Sequence, residues 1–146
     1  MTENVVLDSS VLVSSLVTDD TFRSAARLIL KKVFQGYYIA IGSNITPPEV
    51  IGAISRRAGV TRARMAKDQI EKWENLGLFI FADLDKRRRI KADELALNLR
   101  VRGMDAIIIQ LAKEKNATLV TFDNEMANRT RGLIKVLTAG DIETMA

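Results

Sequence analysis

The chain of 146 residues contains neither cysteine nor histidine. Without thiols it has no disulfides and no thiolate zinc site, and without imidazole it has no Ser-His-Asp triad and no Cys-His dyad. Long apolar runs are also missing: none approaches the roughly 20 residues of a membrane span. The opening "MTENVVLDSS" lacks the basic region of a secretion signal. The expected compartment is the cytosol, with no membrane partner. Any chemistry must run on carboxylates, hydroxyls, amides, lysine and arginine.

The length suits one domain, 1–146, able to bury roughly 68–70% of the surface its unfolded chain exposes. The formal net charge is +4, with a pI near 9.6, which favours a polyanionic partner, although modest positive charge also serves solubility. More than half of the 22 basic residues lie between Arg56 and Arg102. Most of these read as solvated helix faces. The run "DKRRRIK", residues 85 to 91, is denser, and its cations repel one another unless an anion is near.

Short apolar runs rich in branched and aromatic residues mark five strands: 4–7, 37–41, 78–81, 118–122 and 134–137. Continuous rather than alternating hydrophobicity predicts strands buried on both faces, as in a parallel sheet. Between them the period is helical. Phe22, Ala25, Ala26, Ile29 and Val33 share one face of a helix over 21–34, stopped by Gly36. "TPPEVIGAISRR" starts a helix at its prolines, and Thr61 is placed to cap the next, in which Ala66, Ile70 and Trp73 align and Gly77 closes. A polar basic loop then leads to "ADELALNLRV" and the helix "DAIIIQLAKEK". This order predicts an α/β domain, with a Rossmann-like, mainly parallel sheet of about five strands flanked by helices.

Asp8 ends the first strand, and in an open parallel sheet ligands bind outside the carboxyl ends of the strands, where the strand order reverses. Taken alone, Asp8 reads as a helix cap for "SSVLVSSL". Asp123 ends the fourth strand, where an Asx-turn is the plain alternative. Asp105 opens a helix and shares its stripe with Ile108, Ile109 and Ala112, an apolar face where a dipole-stabilising acid seldom sits. Glu49 follows the two prolines, with the small Gly52 and Ala53 one turn on. A doubly wound fold gathers these four acids at one edge. Packed together they repel, and buried charges persist only when paired or metal-bound. An all-oxygen set favours Mg²⁺ or Mn²⁺, which can polarise a phosphoryl oxygen and activate water.

"VVLDSSVL" resembles the first motif of PIN domains, an Asp ending strand one followed two residues on by Ser, Thr or Asn. "PPEV" is similar to their Glu-bearing helix start, and "RGMDAIIIQLAKEKNATLVTFDNEM" resembles their Asp-Ala helix running into a strand that ends Thr-x-Asp. The resemblance implies a Mg²⁺- or Mn²⁺-dependent ribonuclease. In it Asp8, Glu49, Asp105 and Asp123 form the metal site, Ser10 and Thr121 its supporting hydroxyls, and Glu125 a lesser candidate. It also implies the toxin half of a VapBC-type toxin-antitoxin pair, with a cognate antitoxin and a homodimer, or else a role in RNA processing.

The expected reaction is hydrolysis of an RNA phosphodiester by metal-activated water, leaving a 5′-phosphate and a 3′-hydroxyl, with Arg87, Arg88, Arg89 and Arg102 guiding the strand. Aromatics make up only 5% of the chain and most read as core, so stacking on unpaired bases has few candidates. Two rivals are weaker. A nuclease-inactive RNA- or protein-binding module has no need of all four acids. An acidic phosphatase of the haloacid dehalogenase type wants Asp-x-Asp where this chain has Asp8 and Ser10.

Overall fold

Branched and aromatic residues with no room for solvent on either side build the centre of the molecule. The computed structural model describes residues 2–145. Five strands, β1 (Glu3–Leu7), β2 (Tyr38–Ser43), β3 (Phe79–Ala82), β4 (Thr118–Val120) and β5 (Val136–Leu137), pair in the order β3-β2-β1-β4-β5. Every pairing is parallel. The chain winds outward from β1 through β2 to β3, then returns to place β4 on the other side of β1. The order therefore reverses between β1 and β4, the position where doubly wound sheets open a crevice.

Alternation along the strands divides the core in two. Val5 and Leu7 face one layer and Val6 the other. The first layer holds α1 (Ser9–Leu16), α2 (Arg23–Phe34), α3 (Thr46–Ala58), α4 (Val60–Asn75) and α8 (Ala139–Thr144). It includes Ala25, Ala26, Ile29 and Val33 of the expected stripe, and the aligned Ala66, Ile70 and Trp73; Phe22 does not join them, because α2 begins only after it and leaves it exposed at the N-cap. The second layer is built from α5 (Lys86–Leu99), α6 (Gly103–Glu114) and α7 (Asn124–Thr130), with Ile108, Ile109, Leu111 and Ala112 of α6 against Val6, Ile41 and Leu119. Each fully buried Ile, Leu or Val contributes about 1.5–3 kcal/mol. Trp73 stacks on Phe79 with centroids 5.2 Å apart, and Phe34 and Phe81 flank the pair, so much of the scarce aromatic surface is structural.

Strand β4 closes at Val120 rather than Phe122, so Asp123 stands three residues past its end, as the N-cap of α7, and two further local expectations give way. The basic run 85–91 is not a loop but the start of α5. Asp85 caps that helix by accepting the Arg88 amide at 2.8 Å, and Arg88 turns inward, making a two-point contact with Glu114 at 3.0 and 2.9 Å. The repulsion read from the sequence is thus relieved by an acid 26 residues further on. Thr61 does not cap α4 but lies in its first turn: the cap falls two residues earlier, at Gly59, whose φ of +92° lies in the region that favours glycine. Gly36 and Gly77, both at positive φ, stand just past the ends of α2 and α4 as expected.

Candidate active site

Asp8 sits where β1 runs out beside β4. Its amide still donates to the Val120 carbonyl at 3.0 Å, so sheet pairing holds the residue in place before α1 begins. The backbone is that of an N-cap, but the carboxylate makes no cap hydrogen bond. Instead Oδ2 accepts from Ser10 Oγ at 2.8 Å and from Thr121 Oγ1 at 3.0 Å. Asp8 is only 6% exposed and Thr121 is fully buried. Burial pushes the Asp8 carboxyl above its ordinary range, against the pull of the two hydroxyls. A charge kept there without a basic partner is characteristic of a functional position.

Ser10 and Thr121 are themselves fixed. Ser10 Oγ accepts the Phe122 amide at 3.2 Å, and Thr121 Oγ1 accepts the Asp123 amide at 3.2 Å. These bonds stitch the start of α1 to the loop leaving β4 and orient both hydroxyl protons toward Asp8.

Asp123 has two roles at once. Its Oδ1 caps α7 by accepting the amides of Glu125 and Met126 at 3.0 and 3.2 Å, while Oδ2 faces a cleft of about 370 Å³ lined by Arg100, Arg102, Asp105, Glu125 and Arg129. Asp105, in the first turn of α6, has a side chain 15% exposed. Burial raises its pKa, and the nearby charges of Asp8 and Asp123 push in the same direction while Arg102 opposes them. Arg102 bridges the two acids: Nε donates to Asp105 Oδ2 at 3.3 Å and Nη2 to Asp123 Oδ2 at 3.1 Å.

Three of the four expected acids therefore share one electrostatic neighbourhood at the β1–β4 crevice. Glu49 lies half-buried in the first turn of α3, the helix that follows β2 in the chain. The room foreseen over Gly52 is bordered by the Arg56 guanidinium, 3.4 Å from where a Cβ would stand. Among the described residues no three carboxylates are closed around a common point able to hold an ion; a guanidinium lies on two of them instead. The donor set nonetheless fits a hard divalent cation: oxygen only, partly desolvated, with Asp8 Oδ1 outside the hydroxyl contacts.

Of the arginines expected to guide a strand, Arg102 is at the cleft and Arg88 is held by Glu114 and the Asp83 carbonyl. Arg87 and Arg89 are exposed on α5, with Arg89 paired to Asp93. Arg100 and Arg129 line the cleft without having been singled out in the sequence. Arg129 follows Glu125 by one helical turn and pairs with it at 3.4 Å, a spacing that could have drawn attention once Asp123 was seen to start a helix. A larger cleft of about 490 Å³ between α5 and α6, around Gln110 and Glu114, holds none of the four acids.

No curated protein matches this chain in sequence. Solved structures resemble it in fold. The toxin VapC20 of Mycobacterium tuberculosis, described as cleaving the sarcin-ricin loop, is similar with a TM-score of 0.69 at 15% identity over 85% of this chain and 93% of that one. VapBC2 of Rickettsia felis, bound to a promoter DNA fragment, is similar with a TM-score of 0.69 at 16% identity over 92% and 98%. A toxin-antitoxin complex from Klebsiella pneumoniae is similar with a TM-score of 0.65 at 20% identity over 92% and 97%. At these identities the likeness establishes the fold. The PIN domain family model matches residues 5–132, and the chain belongs to the PIN domain family.

Proposed function

We propose that this protein is a Mg²⁺- or Mn²⁺-dependent ribonuclease acting in the cytosol as the toxin of a toxin-antitoxin pair. The observation that carries this reading is Asp8: a buried carboxylate at the strand-order reversal, held by two hydroxyls, and close enough to Asp105 for its charge, with that of Asp123, to raise the Asp105 pKa. Asp8, Asp105 and Asp123, with Glu49 approaching from α3, are the groups that would hold the ion. When bound, it supplies a Lewis acid that makes water more acidic and neutralises charge developing on phosphoryl oxygens.

The chain's own residues do the rest. Ser10 and Thr121 fix the Asp8 carboxylate in one rotamer. Asp123 is pinned through its cap to α7, so that its Oδ2 keeps a constant position. Arg100 and Arg129 give the cleft positive walls for the phosphates on either side of the scissile bond. In-line attack by water leaves a 5′-phosphate and a 3′-hydroxyl.

Toxin-antitoxin complexes among the similar folds support an antitoxin partner, and a homodimer is the assembly we expect. Among the described residues no helix is long and apolar enough to cross a membrane.

The test is cleavage of labelled RNAs with Mg²⁺, Mn²⁺ or EDTA, comparing wild type with Asp8→Asn and Asp105→Asn. Cleavage should require the metal and both acids. Undiminished cleavage in EDTA, or by either variant, would overturn the assignment.

A further inference from the structure

Arg102 belongs to the cleft but does something an ordinary strand-guiding arginine does not: it takes two of the carboxylates the site needs. Its backbone is closely placed. Arg100 closes α5 in the left-handed region, at φ +56°, a conformation uncommon outside glycine. Val101 packs against the second core, and Arg102 stands in extended geometry at the N-cap of α6. The stem is thus anchored while the side chain is 78% exposed, so the head can leave without disturbing the fold.

The contacts are competitive ones. Asp123 Oδ1 is engaged by the amides of α7, which leaves Oδ2 to face the cleft, and Oδ2 is the atom Arg102 Nη2 takes. Asp105 presents its Oδ2 to Arg102 Nε. A divalent cation approaching the three acids needs these oxygens, and a permanently charged guanidinium beside them repels it.

We propose that Arg102 is a resident counter-cation: it neutralises Asp105 and Asp123 in the metal-free protein and must be displaced for the ion to enter, setting the metal concentration at which the site fills. This rests on the metal-site reading above. The two ion pairs are exposed, so each contributes little and the displacement is reversible. Together with the removed repulsion they correspond to about a tenfold change in metal affinity.

The experiment is Mg²⁺ titration by calorimetry of the full chain as wild type, Arg102→Gln and Arg102→Lys, together with the ¹⁵N signal of the Arg102 Nε–H in wild type. Arg102→Gln should bind Mg²⁺ about tenfold more tightly. Arg102→Lys, which keeps the charge but loses the two-point contact, should fall between. On saturation the Nε–H resonance should shift and exchange faster with water. Equal or weaker Mg²⁺ binding by Arg102→Gln, or an Nε–H signal unmoved by Mg²⁺, overturns the proposal alone. Absence of Mg²⁺ binding in wild type and both variants overturns it together with the metal site itself.

Discussion

Thr121 and Asp8 lie 113 residues apart in the chain and share a buried hydrogen bond of 3.0 Å. It joins the ends of the two strands between which the sheet reverses its order, and it fixes one oxygen of the carboxylate at the centre of the proposed site.

Replacing Thr121 by Val keeps the shape and removes the donor, leaving Ser10 as the hydroxyl on Asp8 Oδ2 and the Asp123 amide without its acceptor. The expected cost is about 1–3 kcal/mol of stability, with metal-dependent cleavage falling more steeply than binding of RNA. Chemical denaturation alongside kcat and KM separates the two effects. Unchanged stability and turnover would remove Thr121 from the supporting role.

Asp8→Asn exchanges a desolvated charge for a neutral amide of the same shape. Because burial raises the Asp8 pKa, the ionised form opposes folding once the pH exceeds the range in which the unfolded chain titrates. The variant should therefore be more stable than wild type near neutral pH in EDTA, by about 0.5–2 kcal/mol, while cleaving no RNA. Thermal melts in EDTA check this, and a less stable Asp8→Asn would contradict it.

Glu114 is the opposite case. Hydrogen bonds from Arg88, ahead of those from Gln110, hold its carboxyl at about 2, below the ordinary 4.5. A depressed pKa contributes stability that is complete above the unfolded value and is lost as pH falls from 4.5 toward 2. Glu114→Gln should lower the melting temperature at neutral pH and flatten its decline across that acid window. A wild-type acid limb reproduced by the variant would assign the effect to other groups.

The arginines of α5 should part company. Arg88→Ala breaks the clamp between α5 and α6 and should cost about 1–2 kcal/mol. Arg87→Ala and Arg89→Ala should leave stability within about 0.5 kcal/mol. If these two touch RNA, each should reduce the salt dependence of binding by about one counterion. Filter binding at several salt concentrations, with melts of all three variants, measures both. An Arg88→Ala as stable as wild type would mean that the clamp is not structural.

The parallel sheet, its five strands and the helical stripes were legible in the sequence because they rest on local periodicity: buried strands read as continuous apolar runs, and core helix faces repeat every three to four residues. Asp8 and Asp123 were visible because each ends such a run. Glycines at positive φ announced the ends of α2 and α4. The basic run at 85–91 was misread as a loop because local charge repulsion opposes a helix, and the acid that relieves it, Glu114, is remote in the chain.

Composition excluded cysteine and histidine chemistry outright, and pattern alone determined the fold class and the four acids worth watching. Only the tertiary structure decided that Asp8, Asp105 and Asp123 share one crevice, that Ser10 and Thr121 grip Asp8, and that Arg102 lies across the remaining pair. Periodicity is a property of neighbours along the chain, whereas electrostatic partnership falls off with distance in space, and that distance is set by how the strands are ordered in the sheet.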